Sequence, residues 1–240
     1  MKKYALITGS TGGIGEAAAR QLASEGWNLY LHYNKNECKA ASLFKELSDT
    51  GIEVIPIKAD LERADGPEEL TKGVYQLDAI VYASGTASYG LFTDMDDDSM
   101  ARMIQLHVAS PLKLARDLIP RLLRNPSSQI VLVSSIWGQT GAACEVLYSA
   151  VKGAQISFAK ALGKEMAGTG LRVNCVAPGA VATPMMSAFT EGEISDLEAG
   201  IPMGRLARPK EIADSISFLL SDKSSYVTGQ VLSVNGGWYT

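Results

Sequence analysis

Short runs that are apolar at nearly every position alternate with amphipathic stretches along the whole chain, and this alternation limits the fold more than any other feature. The runs YALIT (4–8), NLYLHY (28–33), IEVIPI (52–57), DAIVYA (78–83), SQIVLVS (128–134), LRVNCVA (171–177) and QVLSVN (230–235) predict strands. Several lack polar alternation, as strands covered on both faces should. Helical patterns fill the gaps at 14–25, 36–50, 66–74, 99–123, 146–168 and 209–220. Strand–helix alternation at these lengths implies βαβ units with right-handed crossovers. The expected fold is α/β: a doubly wound sandwich with a parallel sheet of about seven strands and helices on both faces.

At 240 residues the chain suits one domain, 1–240, with no linker or repeat. The one long irregular stretch is 178–208, opened by Pro178-Gly179, and its length suggests a substrate lid. The formal net charge of −4 and the lack of a basic run argue against nucleic acid or an anionic membrane as partner. The three cysteines are scattered, with no CxxC pair, so reduced thiols are expected and no metal site. The acidic run DMDDDS (94–99) reads as a solvated helix start. The apolar run after MKK is too short for a signal peptide, and no segment reaches the length of a membrane span. A cytoplasmic protein is expected.

Two stretches carry chemistry. The first strand runs into GSTGGIGEAAARQLASEG, with Gly9, Gly13 and Gly15 at the turn into the first helix. Glycines there allow a tight turn and a close backbone approach to a pyrophosphate, which the helix N-terminus attracts. The second stretch is EVLYSAVKGAQ (145–155), which sets Tyr148 and Lys152 one helical turn apart. Alone, that spacing fits a surface pair as well as a proton donor beside a cation.

Together, the G-x-x-x-G-x-G spacing and Tyr148-x-x-x-Lys152 resemble the short-chain dehydrogenase/reductase family, whose fold is Rossmann-like. Asp60-Leu61, Ser135, VNCVAPG (173–179), Thr183 and YVTGQVLSVNGG (226–237) extend the resemblance over essentially the whole chain. It implies an oxidoreductase interconverting a ketone and a secondary alcohol. Tyr148 is then the general acid, Lys152 the cation that favours tyrosinate and holds the nicotinamide ribose, and Ser135 a hydrogen-bond donor to the substrate oxygen. It also implies cofactor contacts from Gly9, Ser10, Thr11, Gly13, Ile14, Gly15, Asp60, Leu61, Ala83, Gly85, Pro178, Gly179 and Thr183.

At the end of the second strand, LHYNKNE has Asn34 and Lys35 where an NAD-binding chain usually has a carboxylate for the ribose 2′-hydroxyl. NADP(H) is therefore preferred, with NAD(H) not excluded. The family's Asn-Asn-Ala-Gly is here Tyr82-Ala83-Ser84-Gly85, and its helical asparagine aligns with His107. Two readings of His107 stand: a relay group that titrates in the working range, or a packed helix histidine. Trp137 and Cys144 are expected to line the substrate pocket.

The segment 201–237 resembles 3-oxoacyl-acyl-carrier-protein reductases. VYASG, His107, SSIWG and GGWY instead resemble a bacterial subgroup that reduces a 5-aminopentanone on a lysine of elongation factor P. Both imply a ketone carried on a protein, and the family implies a homotetramer or homodimer built on the helices at 99–123 and 146–168. A non-catalytic NADP(H) sensor is the third reading, although such proteins typically lose the tyrosine or lysine.

Overall fold

The computed structural model describes residues 2–240, the side chain of Ala188 excepted. Its strands are β1 (Tyr4–Thr8), β2 (Asn28–Tyr33), β3 (Val54–Lys58), β4 (Ala79–Tyr82), β5 (Ser128–Val133), β6 (Leu171–Pro178) and β7 (Val231–Val234). They form one parallel sheet in the order β3-β2-β1-β4-β5-β6-β7. The order reverses between β1 and β4, so a crevice opens beyond their carboxyl ends, where α/β sheets bind ligands.

The helices are α1 (Gly13–Ser24), α2 (Glu37–Ser48), α3 (Gly66–Lys72), α4 (Asp97–Ile104), α5 (Ser110–Leu122), α6 (Trp137–Thr140), α7 (Val146–Met166), α8 (Glu191–Gly200) and α9 (Pro209–Leu220). One core packs α1, α2 and α9 on one sheet face through Ala18, Leu22, Leu43, Ile212 and Ile216. The other packs α3, α5 and α7 on the opposite face through Leu70, Leu114, Leu118, Ile156 and Ala159. Burial on both faces explains the unbroken apolar run Ile130–Val133 of β5; in β6, equally buried, Arg172 and Asn174 alternate with apolar residues and are satisfied by the segment before β7 and the end of α9.

Two expectations need correction. The stretch 178–208 is not irregular throughout: it contains α8, started by a capping box in which Thr190 and Glu193 satisfy each other's backbone. Its only large apolar residues, Ile194 and Leu197, are both left unburied, so the periodic signal is weak.

The single helix expected at 99–123 is broken by a π-helical turn, Gln105–Ala109. There Ser110 N–H reaches back to Gln105 O, and Pro111 has no N–H to offer. The Leu106 and His107 carbonyls instead accept from side chains of other elements, Tyr82 Oη and Gln155 Nε2 respectively.

Candidate active site

At the phosphate end, Gly9 adopts φ +64°, and a Cβ there would lie 3.0 Å from Ser84 Cα. A Cβ on Gly15 would lie 2.3 Å from Gly9 O, and one on Gly13 would lie 2.5 Å from Thr183 Cγ2. These glycines are thus required by packing whatever they bind. The loop is held from β2: Ser10 N–H and Oγ both donate to His32 O, and Gly9 N–H donates to His32 Nδ1 at 3.1 Å. His32 Nε2 lies 3.1 Å from Ala59 O, so the imidazole carries its proton there and Nδ1 is the acceptor. Burial pushes the His32 pKa down to about 4, keeping it in this neutral form.

The N-terminus of α1 has glycine as its cap, without a side-chain cap bond. Its first N–H groups have no intrahelical acceptor, as an anion site requires. Thr183 lies over Gly13, and Thr8 Oγ1 accepts from Ala83 N–H and Ser84 N–H, both at 3.1 Å. Ser84 Oγ is buried with no partner among the described residues. This glycine cradle, with its uncapped helix start and orphaned hydroxyl, fits a phosphate-bearing dinucleotide.

Asn34 and Asp60 meet, with Asn34 Nδ2 donating to Asp60 Oδ1 at 3.0 Å, and Leu61 is buried. Lys35 is exposed beside them and forms no ion pair among the described residues. Gly85 faces the His107 imidazole: a Cβ there would lie 2.8 Å from Cε1. Pro178 O accepts from Ile136 N–H and Gly179 N–H donates to Val234 O, joining the ends of β5, β6 and β7.

At the chemical end, Ser135 follows β5 and is buried, and its Oγ accepts from Trp137 N–H at 3.2 Å. The next turn, α6, presses its backbone onto α7: a Cβ on Gly138 would lie 2.7 Å from Lys152 C. Ser134 Oγ strengthens the contact by donating to Lys152 O at 2.9 Å. Gly138 and Gly153 therefore let two backbones meet, which brings Ser135 up to Tyr148.

Burial first, and Glu145 second, push the Tyr148 pKa up to about 12, while a hydrogen bond with Ser135 opposes them. Lys152 is buried, its Nζ 5.5 Å from the Tyr148 ring centroid. The Nζ donates to Val133 O at 2.8 Å and Gln155 Oε1 at 3.3 Å, and burial pulls its pKa down to about 8. Desolvation outweighs the opposing influences on Tyr148, so the phenol is held in its protonated form. At neutral pH the phenol is protonated and the lysine mostly an ammonium, so the proton sits on the group that would deliver it.

His107 does not behave as a group that titrates near neutrality. It is fully buried, and desolvation followed by the Lys152 charge pushes its pKa down to about 3. Nε2 lies 2.9 Å from Thr86 O, and the ring meets Tyr148 edge to face at 5.9 Å. Its Nδ1 is a second orphaned buried atom.

Trp137 and Trp238 pack edge to face with centroids 5.2 Å apart, joining the loop after β5 to the C-terminal tail. Glu145 lies beside the Trp137 side chain, which favours its carboxylate while burial raises its pKa. Cys144 has φ +62°, its O accepts from Gly90 N–H, and its thiol meets the Tyr89 hydroxyl at the rim. The tertiary structure adds His32, Gln155 and Thr8, which sequence reasoning missed. His32 left a trace, as a polar residue inside an otherwise apolar run.

The family described as Enoyl-(Acyl carrier protein) reductase matches residues 9–239. Over the full length of both chains, this protein is 56% identical to the "Uncharacterized oxidoreductase YmfI" of Bacillus subtilis. It is 32% identical to the 3-oxoacyl-[acyl-carrier-protein] reductase FabG of Staphylococcus epidermidis, again covering both chains in full. Among solved structures, a short-chain dehydrogenase/reductase (glucose/ribitol dehydrogenase) from Brucella melitensis superposes with a TM-score of 0.92 at 32% identity, covering all of both chains. A variant of actinorhodin polyketide ketoreductase with NADPH superposes at 0.93, with 29% identity over 99% of this chain and 97% of that one. Similarity running the full length of the chain in both sequence and fold makes this protein an oxidoreductase of the short-chain dehydrogenase/reductase family.

Proposed function

We propose that the protein is an NADP(H)-dependent reductase that converts a ketone, carried on a protein and bearing an ammonium group, to a secondary alcohol. The observation that carries the choice of substrate is the Trp137–Trp238 pair with the Glu145 carboxylate, adjoining the Tyr148 phenol. Aromatic faces and a half-buried carboxylate attract a cation. The 5-aminopentanone of a modified elongation factor P lysine has this chemistry, and a β-ketoacyl thioester does not.

NADP(H) would be held by Gly9, Ser10, Thr11, Gly13, Ile14 and Gly15 at the pyrophosphate. Asp60, Leu61, Ala83, Gly85, Pro178, Gly179 and Thr183 would hold the remainder, with Asn34 and Lys35 at a 2′-phosphate. NADPH-bound actinorhodin ketoreductase, similar over nearly the whole chain, supports this cofactor. When bound, it supplies the hydride. Tyr148 gives its proton to the carbonyl oxygen as negative charge develops there. Ser135 Oγ donates a hydrogen bond to that oxygen, and the Lys152 ammonium stabilises the tyrosinate left behind. Residues 178–208, with α8, would close over the arm, and Cys144 and Tyr89 would form the rim. A homotetramer is consistent with Ile104 and Leu112 standing exposed on α4 and α5, and light scattering reads it directly.

The second reading, an acyl-carrier-protein reductase, rests on the Staphylococcus FabG similarity. Against it, Arg121 and Arg124 lie where the chain leaves α5 for β5, at the opposite end of the strands from Ser135 in the same subunit. NADPH oxidation with an acetoacetyl thioester and with aminopentanone-modified elongation factor P separates the two. Turnover of the modified factor, lowered about tenfold by Trp238→Ala, is expected. Turnover of the thioester alone overturns the proposal.

A further inference from the structure

Behind the Tyr148–Lys152 pair lies a buried link made by neither. Gln155, one turn beyond Lys152 on α7, is 1% exposed. Its Oε1 accepts from Lys152 Nζ at 3.3 Å, and its Nε2 donates to His107 O at 2.9 Å. That carbonyl is available only because Pro111 offers no N–H and the helix has slipped into a π turn.

We infer that Gln155 is a positioning residue of this enzyme: its amide ties the Lys152 ammonium to the carbonyl that the π turn leaves free. The inference rests on the proposed role of Lys152. The ammonium has three protons. Val133 O and Gln155 Oε1 take two, and both acceptors lie on the protein side. The third has no acceptor among the described residues.

The charged and titratable groups facing Lys152 are Tyr148 on the same helix, Cys175 from β6 and His107 from the π turn. Cys175 is a neutral thiol, its pKa pushed up to about 12 by burial, and His107 is a neutral imidazole. Gln155 is therefore the polar neighbour whose replacement moves Lys152 without adding a titration of its own, provided the replacement is uncharged.

Two readouts test this. Lysine-selective 15Nζ NMR, with the resonance assigned by its loss in Lys152→Met, follows Lys152 whether or not any ketone is turned over. The pH–kcat profile between pH 6 and 10 follows the coupled Tyr148–Lys152 pair. Gln155→Met, of similar length but without the amide, should lower the Lys152 midpoint by at least half a unit and reduce kcat about tenfold. Gln155→Glu should raise the midpoint by about one to three units. Pro111→Ala, remote from the crevice, returns an N–H that competes for His107 O, and should shift the midpoint in the same direction as Gln155→Met but less. A wild-type Lys152 midpoint in folded Gln155→Met and Gln155→Glu overturns the inference. If both misfold, an unshifted midpoint in Pro111→Ala overturns it. Shifted midpoints with no ketone reduced would instead refute the proposed activity and leave the link standing.

Discussion

Lowering the pH from 7.0 to 5.5 should destabilise the fold by about 2.5 kcal/mol through its two histidines alone. Both histidines of the chain are buried, His32 under the glycine loop and His107 at the π turn. Burial pushes their pKa values down to about 4 and about 3. In the unfolded chain each titrates near 6.5. The folded state therefore binds fewer protons, so stability is fully present above pH 6.5 and falls as the pH drops toward 4. Over the stated interval the unfolded chain gains about 1.3 kcal/mol per histidine, while the folded values lie too low to compensate. The Asp and Glu residues whose pKa is lowered by ion pairs lose their partners mainly below this window, and Glu145, whose pKa burial raises, works against the histidines as the pH falls, so Glu145→Gln is the background in which the histidine contribution is read.

Urea unfolding at both pH values, at fixed protein concentration, measures the difference. His107→Asn should halve the pH dependence to about 1.3 kcal/mol, whatever it does to stability at pH 7. In Glu145→Gln, a difference below about 0.5 kcal/mol, or an unchanged slope when His107→Asn is added, would refute the reasoning. In either case the imidazoles would be protonating within the folded protein.

Three further outcomes are expected. Tyr148→Phe should reduce kcat by about a hundred- to ten-thousandfold while NADPH binding, read by fluorescence, stays within twofold; unchanged turnover would point to a different acid. Gly15→Ala places a methyl 2.3 Å from Gly9 O, so it should destabilise by about 1–3 kcal/mol in urea and weaken NADPH binding. Lys35→Glu should weaken NADPH binding about tenfold and leave NADH binding unchanged; equal effects on both would remove Lys35 from the 2′-phosphate.

The strands and the layers of helices were legible because burial writes itself locally: β1, β2, β4 and β5 are buried nearly throughout and read as largely apolar runs, while the edge strands β3 and β7, only partly buried, still carry short apolar runs. The glycine loop and the Tyr148–Lys152 spacing were legible for a similar reason: a tight turn and one helical turn are short-range geometry. The π turn was not, although both its causes are visible in retrospect. Pro111 removes an N–H, but a proline in the first turn after a break looks like one that merely starts a helix, and Tyr82 and Gln155 are 24 and 48 residues from the carbonyls they satisfy. The helix α8 escaped because it buries no side chain and is held by its cap rather than by an apolar stripe.

The same division runs through the site. The sequence alone determines which groups are present: a phenol and an amine one turn apart, a serine after a buried strand, and a glycine turn before a helix. Only the tertiary structure decides their protonation, since a pKa depends on water excluded by residues distant in the chain. Burial raises Tyr148 and lowers Lys152, reversing the simple expectation from their spacing. It also turns His107 from a possible titrating relay into a neutral packing group, because desolvation and the nearby ammonium both disfavour a second positive charge.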